Sequence, residues 1–353
     1  MNAILNDQKT LQAIKRVNQA IEDIKQGKMV VMVDDEDREN EGDIVYAASL
    51  STPAKVNFMA SHAKGLICVS LTKEIAGRLH LQPMVNTNNS SYETAFTVSV
   101  DAKNATTGIS ALERDMTIKL LSDYTSKPTD FVKPGHIFPL IAKDGGVLTR
   151  TGHTEGSVDL CLLAELPESA VICEIMKEDG TMARRVDLDI FCEKHTMNMV
   201  YISDLVEYRM INELLIELDS VSTVDFMGSS VQKYLFSDHN HQQHSVYVFG
   251  DIKEKACVKF HNILPDNELL SDTKKYTHLM KSIDYLKIYN GIIVFMNSYA
   301  DTMDNVREYG IGAQILKYLG IKEIELISDN STKEFIGISG FNLEIIAYIK
   351  LEN

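Results

Sequence analysis

MVVMVDDEDRENEGDIVYAAS (29–49) sets two short apolar runs, MVVMV (29–33) and IVYAAS (44–49), on either side of a ten-residue loop with seven carboxylates and one arginine. Apolar runs of this length read as buried strands, so the loop is held at a sheet end. Like charges packed there repel unless something positive compensates them. An ordinary solvated charge run is the competing reading. A divalent cation fits the donor set, because hard carboxylate oxygens suit magnesium or manganese. Carboxylates left beside the ion can carry raised pKa values and work as acids or bases.

Working outward, residues 8–26 place Leu11, Ile14, Val17, Ile21 and Ile24 on one helical face, and Gly27 ends the helix. Further strands are expected at GLICVSL (65–71), AFTVSVDA (95–102), HIFPLIAK (136–143) and AVICEIM (170–176). RDMTIKLLSDYT (114–125), SVDLCLLAEL (157–166) and VDLDIFCEKHTM (186–197) have helical spacing. Strands and helices interleave, which predicts an α/β domain over residues 1–209. At 353 residues the chain exceeds what one core usually holds, so residues 210–353 are expected to form a second, smaller α/β domain. MINELLIELDSVSTVDF (210–226) is expected to open it with a connecting helix, and Asp238 to His244 reads as a polar loop before SVYVFGDI (245–252).

A second motif is RTGHTEGSVDL (150–160). Arg150 and Thr154 offer donors to a phosphate, Gly152 lets backbone come close, and a helix beginning near Thr154 favours an anion at its first turn. His153 between them is a candidate metal ligand, against the commoner role of a satisfied structural histidine. His136 follows Pro-Gly at the mouth of a strand. Glu174 interrupts an otherwise apolar strand, which is costly unless the carboxylate is paired or functional. YGIGAQIL (309–316) lacks the strand–glycine–helix context of a dinucleotide site. His239, His241 and His244 could bind a metal, but a polar loop explains them as well.

The net charge of −15 argues against nucleic acid or an anionic membrane as partner, though not against a small phosphorylated ligand held by local arginines. Cys68, Cys161, Cys173, Cys192 and Cys257 show no Cys-x-x-Cys spacing and read as reduced thiols. MNAILNDQKTLQAIKRVNQAIEDIKQGK (1–28) has no apolar core of signal-peptide length, and no segment approaches the ~18 apolar residues of a membrane span. The expected location is cytoplasmic.

DDEDRENEGD, GLICVSL, TAFTVSVDA, TTGISALERDMTI, KPGHIFPLIAKDGGVLTRTGHTEGSVDLC and VICEIM occur in an order and spacing that closely resemble 3,4-dihydroxy-2-butanone 4-phosphate synthase of riboflavin biosynthesis. The resemblance implies a three-layer domain with a mixed twisted sheet and a homodimer with active sites near the subunit interface. It also implies magnesium or manganese, two ions per site. The implied reaction splits D-ribulose 5-phosphate into formate and L-3,4-dihydroxy-2-butanone 4-phosphate. The substrate loses a proton beside its carbonyl, forms an enediolate, migrates a carbon and releases C4. Metal ions can hold the vicinal oxygens as a Lewis acid while carboxylates and a histidine carry protons.

Carried onto this chain, the resemblance makes Glu39 and His153 metal ligands. Arg38, Glu39, Asp43, Arg150, Thr151, Gly152, Thr154 and Glu174 become substrate-binding residues, with Arg150 and Thr154 nearest the phosphate. His136 and Glu174 match positions needed for catalysis, with Glu41 a further acid or base, and Cys68 and Thr107 line the same pocket. Glu113 stands where aspartate is more usual.

VREYGIGAQILKYLGIKEIELISDN (306–330) resembles the final segment of GTP cyclohydrolase II, and SVYVFGDIKEKACVKFHN (245–262) loosely resembles its opening strands. That enzyme's three zinc-binding cysteines are missing, since only Cys257 follows residue 200. Without thiolates there is no closed tetrahedral site to activate water, so the second domain is expected to lack that activity. Alternatives are residual cyclohydrolase activity on the three histidines, or a module that binds a nucleotide or a protein partner.

Overall fold

The computed structural model describes residues 2–35, 38–92, 94–238, 241–297, 305–328 and 343–351, with the side chains of 2–9 and 305–310 outside the description. The chain divides into two compact units, Leu11–Tyr208 and Arg209–Asn353 with Met1–Thr10.

In chain order the first unit runs α1 (Asn2–Lys25), β1 (Val30–Val33), β2 (Gly42–Ala47), α2 (Pro53–Phe58), β3 (Cys68–Leu71), α3 (Lys73–Arg78), β4 (Val100–Ala102), α4 (Ala111–Ser122), β5 (Phe131–Ile141), α5 (His153–Leu163), β6 (Ser169–Glu174), α6 (Arg185–His195), β7 (Met199–Tyr201) and α7 (Ile202–Asn212). Its seven described strands form one sheet in the order β4-β5-β3-β6-β2-β1-β7. Parallel pairs (β1–β7, β3–β5) mix with antiparallel ones (β1–β2, β2–β6, β3–β6, β4–β5).

Both sheet faces are covered, which is why β1 and β2 are buried at every position and, apart from Gly42 and Asp43 at the site end, apolar rather than alternating. Val31, Val33, Ile44 and Tyr46 share one buried cluster with Val56 of α2, Ile118 and Leu121 of α4 and Leu188 of α6. Met32 points the other way. Its sulfur would meet a Cβ at Gly156 of α5 at 2.7 Å, so a glycine there lets helix and strand approach. The α2, α3 and α4 helices start on Thr52, Thr72 and Ser110, whose hydroxyls accept from the backbone three residues on. Of AFTVSVDA only the last three residues join a strand, while Phe96 and Thr97 make isolated bridges.

The second unit contains β8 (Ile216–Phe226), β9 (Ser229–Asp238), β10 (Gln243–Phe249), β11 (Lys255–Asn262), α8 (Asp266–Ser271), α9 (Thr273–Tyr289), β12 (Gly291–Met296), α10 (Asn305–Tyr318), β13 (Glu323–Ile327) and β14 (Glu344–Ile349). Its sheet order is β14-β13-β11-β12-β10-β9-β8, again mixed. The expected connecting helix over 210–226 is a correction: α7 stops at Asn212 and most of the stretch is β8. Met227 and Gly228 both take positive φ (54° and 79°), the two-residue turn that closes a hairpin, and Phe226 pairs with Ser229 across it. Val221, Thr223 and Val224 suit the resulting strand.

Candidate active site

Strand registers gather the chemistry at one end of the first sheet. Val33 faces Gly42 across β1–β2, Asp43 faces Glu174 across β2–β6, and Cys68 pairs with Ile172 of β6 and Phe138 of β5. His136 lies two residues before Phe138, so it falls at the same end of the sheet as the acidic loop.

Asp34 organises that loop. Its buried carboxylate accepts from Arg38 Nη1 at 2.7 Å, from the Glu39 amide at 3.1 Å and from the Glu41 amide at 2.8 Å. Arg38 also meets Glu39 Oε2 at 2.9 Å. From the far side Arg184, just before α6, donates to the carbonyls of Glu39 and Asn40 and lies 3.7 Å from Glu41. Glu36 and Asp37 lie outside the described residues.

His153 opens α5 and is buried against the loop, with Nδ1 3.6 Å from Glu39 Oε2 and Nε2 3.9 Å from Asp43 Oδ1. Asp43 Oδ1 and His153 Nε2 are both buried without a hydrogen-bond partner. Burial lowers the basicity of His153, but Asp43, Glu39 and Asp34 outweigh it and push the imidazole up to about 9. Burial pushes Asp43 up to about 7 against the pull of His153. Burial would raise Glu39 as well, yet His153 and Arg38 hold it below the usual range. Glu41 is raised by burial and by Glu39 and Glu174, against Arg184. Among the described residues, Asp34, Glu39 and His153 are the group whose ligand atoms all lie within 4.8 Å of one another. A pocket of oxygen donors and one imidazole, with two orphaned buried atoms facing each other, fits a divalent cation.

Glu174 is fixed by the Leu66 amide, which donates to Oε2 at 2.8 Å. Gly65 makes this approach possible, because a Cβ there would collide with the Glu174 backbone and carboxylate. The buried Cys68 thiol is pushed well up by burial and by Glu174 and Asp43, so it stays protonated. Arg150 donates to Glu155 at 2.6 Å and to the Tyr92 carbonyl at 2.8 Å, beside Gly152 and the buried Thr154 at the start of α5. Tyr92 ties both arginines together: its hydroxyl donates to the Arg38 carbonyl at 2.8 Å, and the Arg38 guanidinium lies 5.2 Å from its ring centroid.

His136 sits in a second cluster. Its backbone N–H and its ring Nδ1 both lie 2.8 Å from Asp101 oxygens. Thr107 is exposed in the adjoining loop, where its hydroxyl donates to Glu113.

Among the described residues, the loop histidines of the second unit form no comparable site. Buried His244 is engaged by Asp238 at 3.2 Å and by the Asn297 amide at 3.3 Å. His241 occupies a turn at φ 61°, and His239 lies outside the described residues. Cys257 is buried.

The profile of 3,4-dihydroxy-2-butanone 4-phosphate synthase matches residues 18–208, more than half of the chain. A 3,4-dihydroxy-2-butanone 4-phosphate synthase of Sulfurospirillum multivorans is 67% identical over 346 residues, covering 98% of this chain and 97% of that protein. The chain belongs to the 3,4-dihydroxy-2-butanone 4-phosphate synthase family. It is an enzyme of riboflavin biosynthesis, as the resemblance implied. The GTP cyclohydrolase II profile matches residues 297–350, so the synthase carries a C-terminal domain of that kind. RibBX of A. baumannii, a two-domain 3,4-dihydroxy-2-butanone 4-phosphate synthase, superimposes with a TM-score of 0.82 at 40% identity, covering 96% of this chain and 99% of that one. A synthase structure in complex with two magnesium ions aligns at 38% identity and a TM-score of 0.54, covering 56% of this chain and 97% of that one.

No local pattern in the sequence marks Asp34, Tyr92, Arg184 or Asp101 as part of the site. Asp34 is one of seven carboxylates within ten positions, and what separates it, its bonds to Arg38 and to the Glu39 and Glu41 amides, exists only in the folded loop. Tyr92 and Arg184 act across 58 and 144 residues, which no local pattern records.

The buried pair sets a pH dependence in the metal-free enzyme. Raised from 6.5 to about 9, His153 contributes stability that is complete below about pH 6.5 and lost as pH climbs through 9. Asp43, holding its proton to about pH 7, acts with the same sign. Melting temperature after EDTA treatment should therefore fall between pH 6.5 and 9, and magnesium should offset the fall. A flat or rising curve would contradict the charged His153–carboxylate cluster.

Proposed function

We propose that the chain converts D-ribulose 5-phosphate to L-3,4-dihydroxy-2-butanone 4-phosphate and formate at this sheet end, with Asp34, Glu39 and His153 as the metal-binding group. The unpaired Asp43 and His153 atoms within a carboxylate-lined pocket carry this reading. The synthase relative in complex with two magnesium ions supports magnesium, two ions per site, and manganese has the same ligand preferences. Bound there, the cation supplies Lewis acidity to substrate oxygens beside it.

The chain's own groups supply the rest. Glu174, held by Leu66, and Glu41, raised by burial, are the carboxylates that move protons, together with His136. Arg150, Thr151, Gly152 and Thr154 receive the phosphate where the α5 dipole favours an anion. Arg38, Glu39, Asp43, Cys68 and Thr107 bind the sugar end. The exposed Ile109, Leu112, Met116, Tyr124 and Val132 support a homodimer that covers them.

Residues 1–209 form the synthase domain. Residues 210–353 form the cyclohydrolase-like domain, without cyclohydrolase activity, because Cys257 is its one cysteine and His244 is committed to hydrogen bonds. No helix among the described residues is long and apolar enough to cross a membrane. With five free thiols and a net charge of −15, this supports a cytoplasmic enzyme that binds neither membrane nor nucleic acid.

Proton NMR of formate tests both domains at once. Ribulose 5-phosphate with magnesium should yield formate, EDTA should stop it, and GTP should yield none. Formate from GTP would restore a bifunctional reading, and none from the sugar phosphate would overturn the assigned reaction.

A further inference from the structure

We infer that Asp101 is a positioning residue for His136: it holds the imidazole with its proton on Nδ1, so that Nε2 presents a lone pair to the reaction. This rests on the reading that His136 takes part in catalysis. One carboxylate grips the residue at two points. Asp101 Oδ1 accepts from the His136 backbone N–H at 2.8 Å, and Oδ2 lies 2.8 Å from Nδ1. An ionised carboxylate only accepts, so the shared proton belongs to Nδ1. A flipped ring would put carbon against Oδ2 and lose the bond.

The pair is asymmetric in its surroundings. The Asp101 side chain is 9% exposed and that of His136 45%, so the anchored end is covered and the working end is open. A backbone turn walls in the anchored end. Gly108, at φ 77°, packs so closely that an added Cβ would collide with Asp101 Oδ2 and His136 Nδ1. Glu113 staples that turn, accepting from the Thr106 amide and hydroxyl, the Thr107 hydroxyl, the Gly108 amide and the Ser110 hydroxyl. Those bonds pull the Glu113 carboxyl down to about 2, so it remains an acceptor across the working pH range. Ser99 adds a hydroxyl to the Gly135 amide beside His136. The turn, the carboxylate and the strand thus constrain the ring from three sides.

The test uses the full-length magnesium-loaded enzyme. Nitrogen-15 spectra of wild type should show His136 as the Nδ1–H tautomer. Asp101→Asn keeps shape and an oxygen for the His136 backbone N–H, but turns an NH₂ toward Nδ1 and drives the proton to Nε2. Its kcat should drop by about 10²–10⁴ with KM for ribulose 5-phosphate within about 2-fold of wild type. An Nε2–H tautomer in wild type, or wild-type kcat in Asp101→Asn while His136→Gln is inactive, would overturn the inference alone. Wild-type turnover by His136→Gln would instead remove the role assigned to His136. The wild-type spectrum decides the tautomer even if Asp101→Asn fails to fold.

Discussion

Glu39→Gln lowers formate release from ribulose 5-phosphate by about 10³ or more and removes tight magnesium binding, while the protein stays folded. The substitution keeps the shape of the side chain and removes the charge facing His153 Nδ1 at 3.6 Å. Arg38 remains paired with Asp34 at 2.7 Å, and the loop amides still donate to that carboxylate, so the loop keeps its course. His153→Ala acts on the same site from the helix side and has the same outcome. Circular dichroism and a melting curve close to wild type would accompany the loss. A metal-dependent, active His153→Ala enzyme would contradict its assignment as a ligand.

Asp34→Ala has a different signature. It orphans the Glu39 and Glu41 amides at once and leaves the Arg38 guanidinium, whose side chain is only 9% exposed, with Glu39 as its remaining carboxylate. Each buried donor left unpaired costs about 1–3 kcal/mol, so urea denaturation should show a loss of about 3–5 kcal/mol once water reaches part of the loop. Activity falls with it, because Arg38, Glu39 and Glu41 lose the acceptor that places them. Glu39→Gln therefore separates activity from stability, and Asp34→Ala couples them. Wild-type stability in Asp34→Ala would show that Arg184 alone holds the loop.

How much of this is legible in the sequence depends on the range of the contact. The strands flanking the acidic loop could be read because four apolar residues in a row have few other places to go, and Val30–Val33 is buried throughout. His153 stood out because arginine, glycine, threonine and glutamate crowd around it within six positions. Asp43 opposite Glu174 is a different matter: that pairing spans most of the domain and exists only once β6 lies beside β2. The same holds for Tyr92 bridging Arg38 to Arg150. The stretch 210–226 misled because INELLIEL has helical spacing, while the two-residue turn at Met227-Gly228 fixes the hairpin from beyond it. Glu113 differs from the family in sequence only by standing where aspartate is more usual, yet its carboxylate closes the turn over Asp101 and His136.

If the acidic loop and the start of α5 form one metal site that drives the synthase reaction, bound metal and turnover must rise together. Titrating manganese into the EDTA-stripped, full-length protein, with the free ion followed by its paramagnetic resonance signal and formate by NMR in the same samples, tests it most directly. Formate release should rise in step with bound manganese in wild type, and both should vanish in Glu39→Gln. Undiminished manganese binding by Glu39→Gln, or formate release that ignores occupancy, would contradict the account.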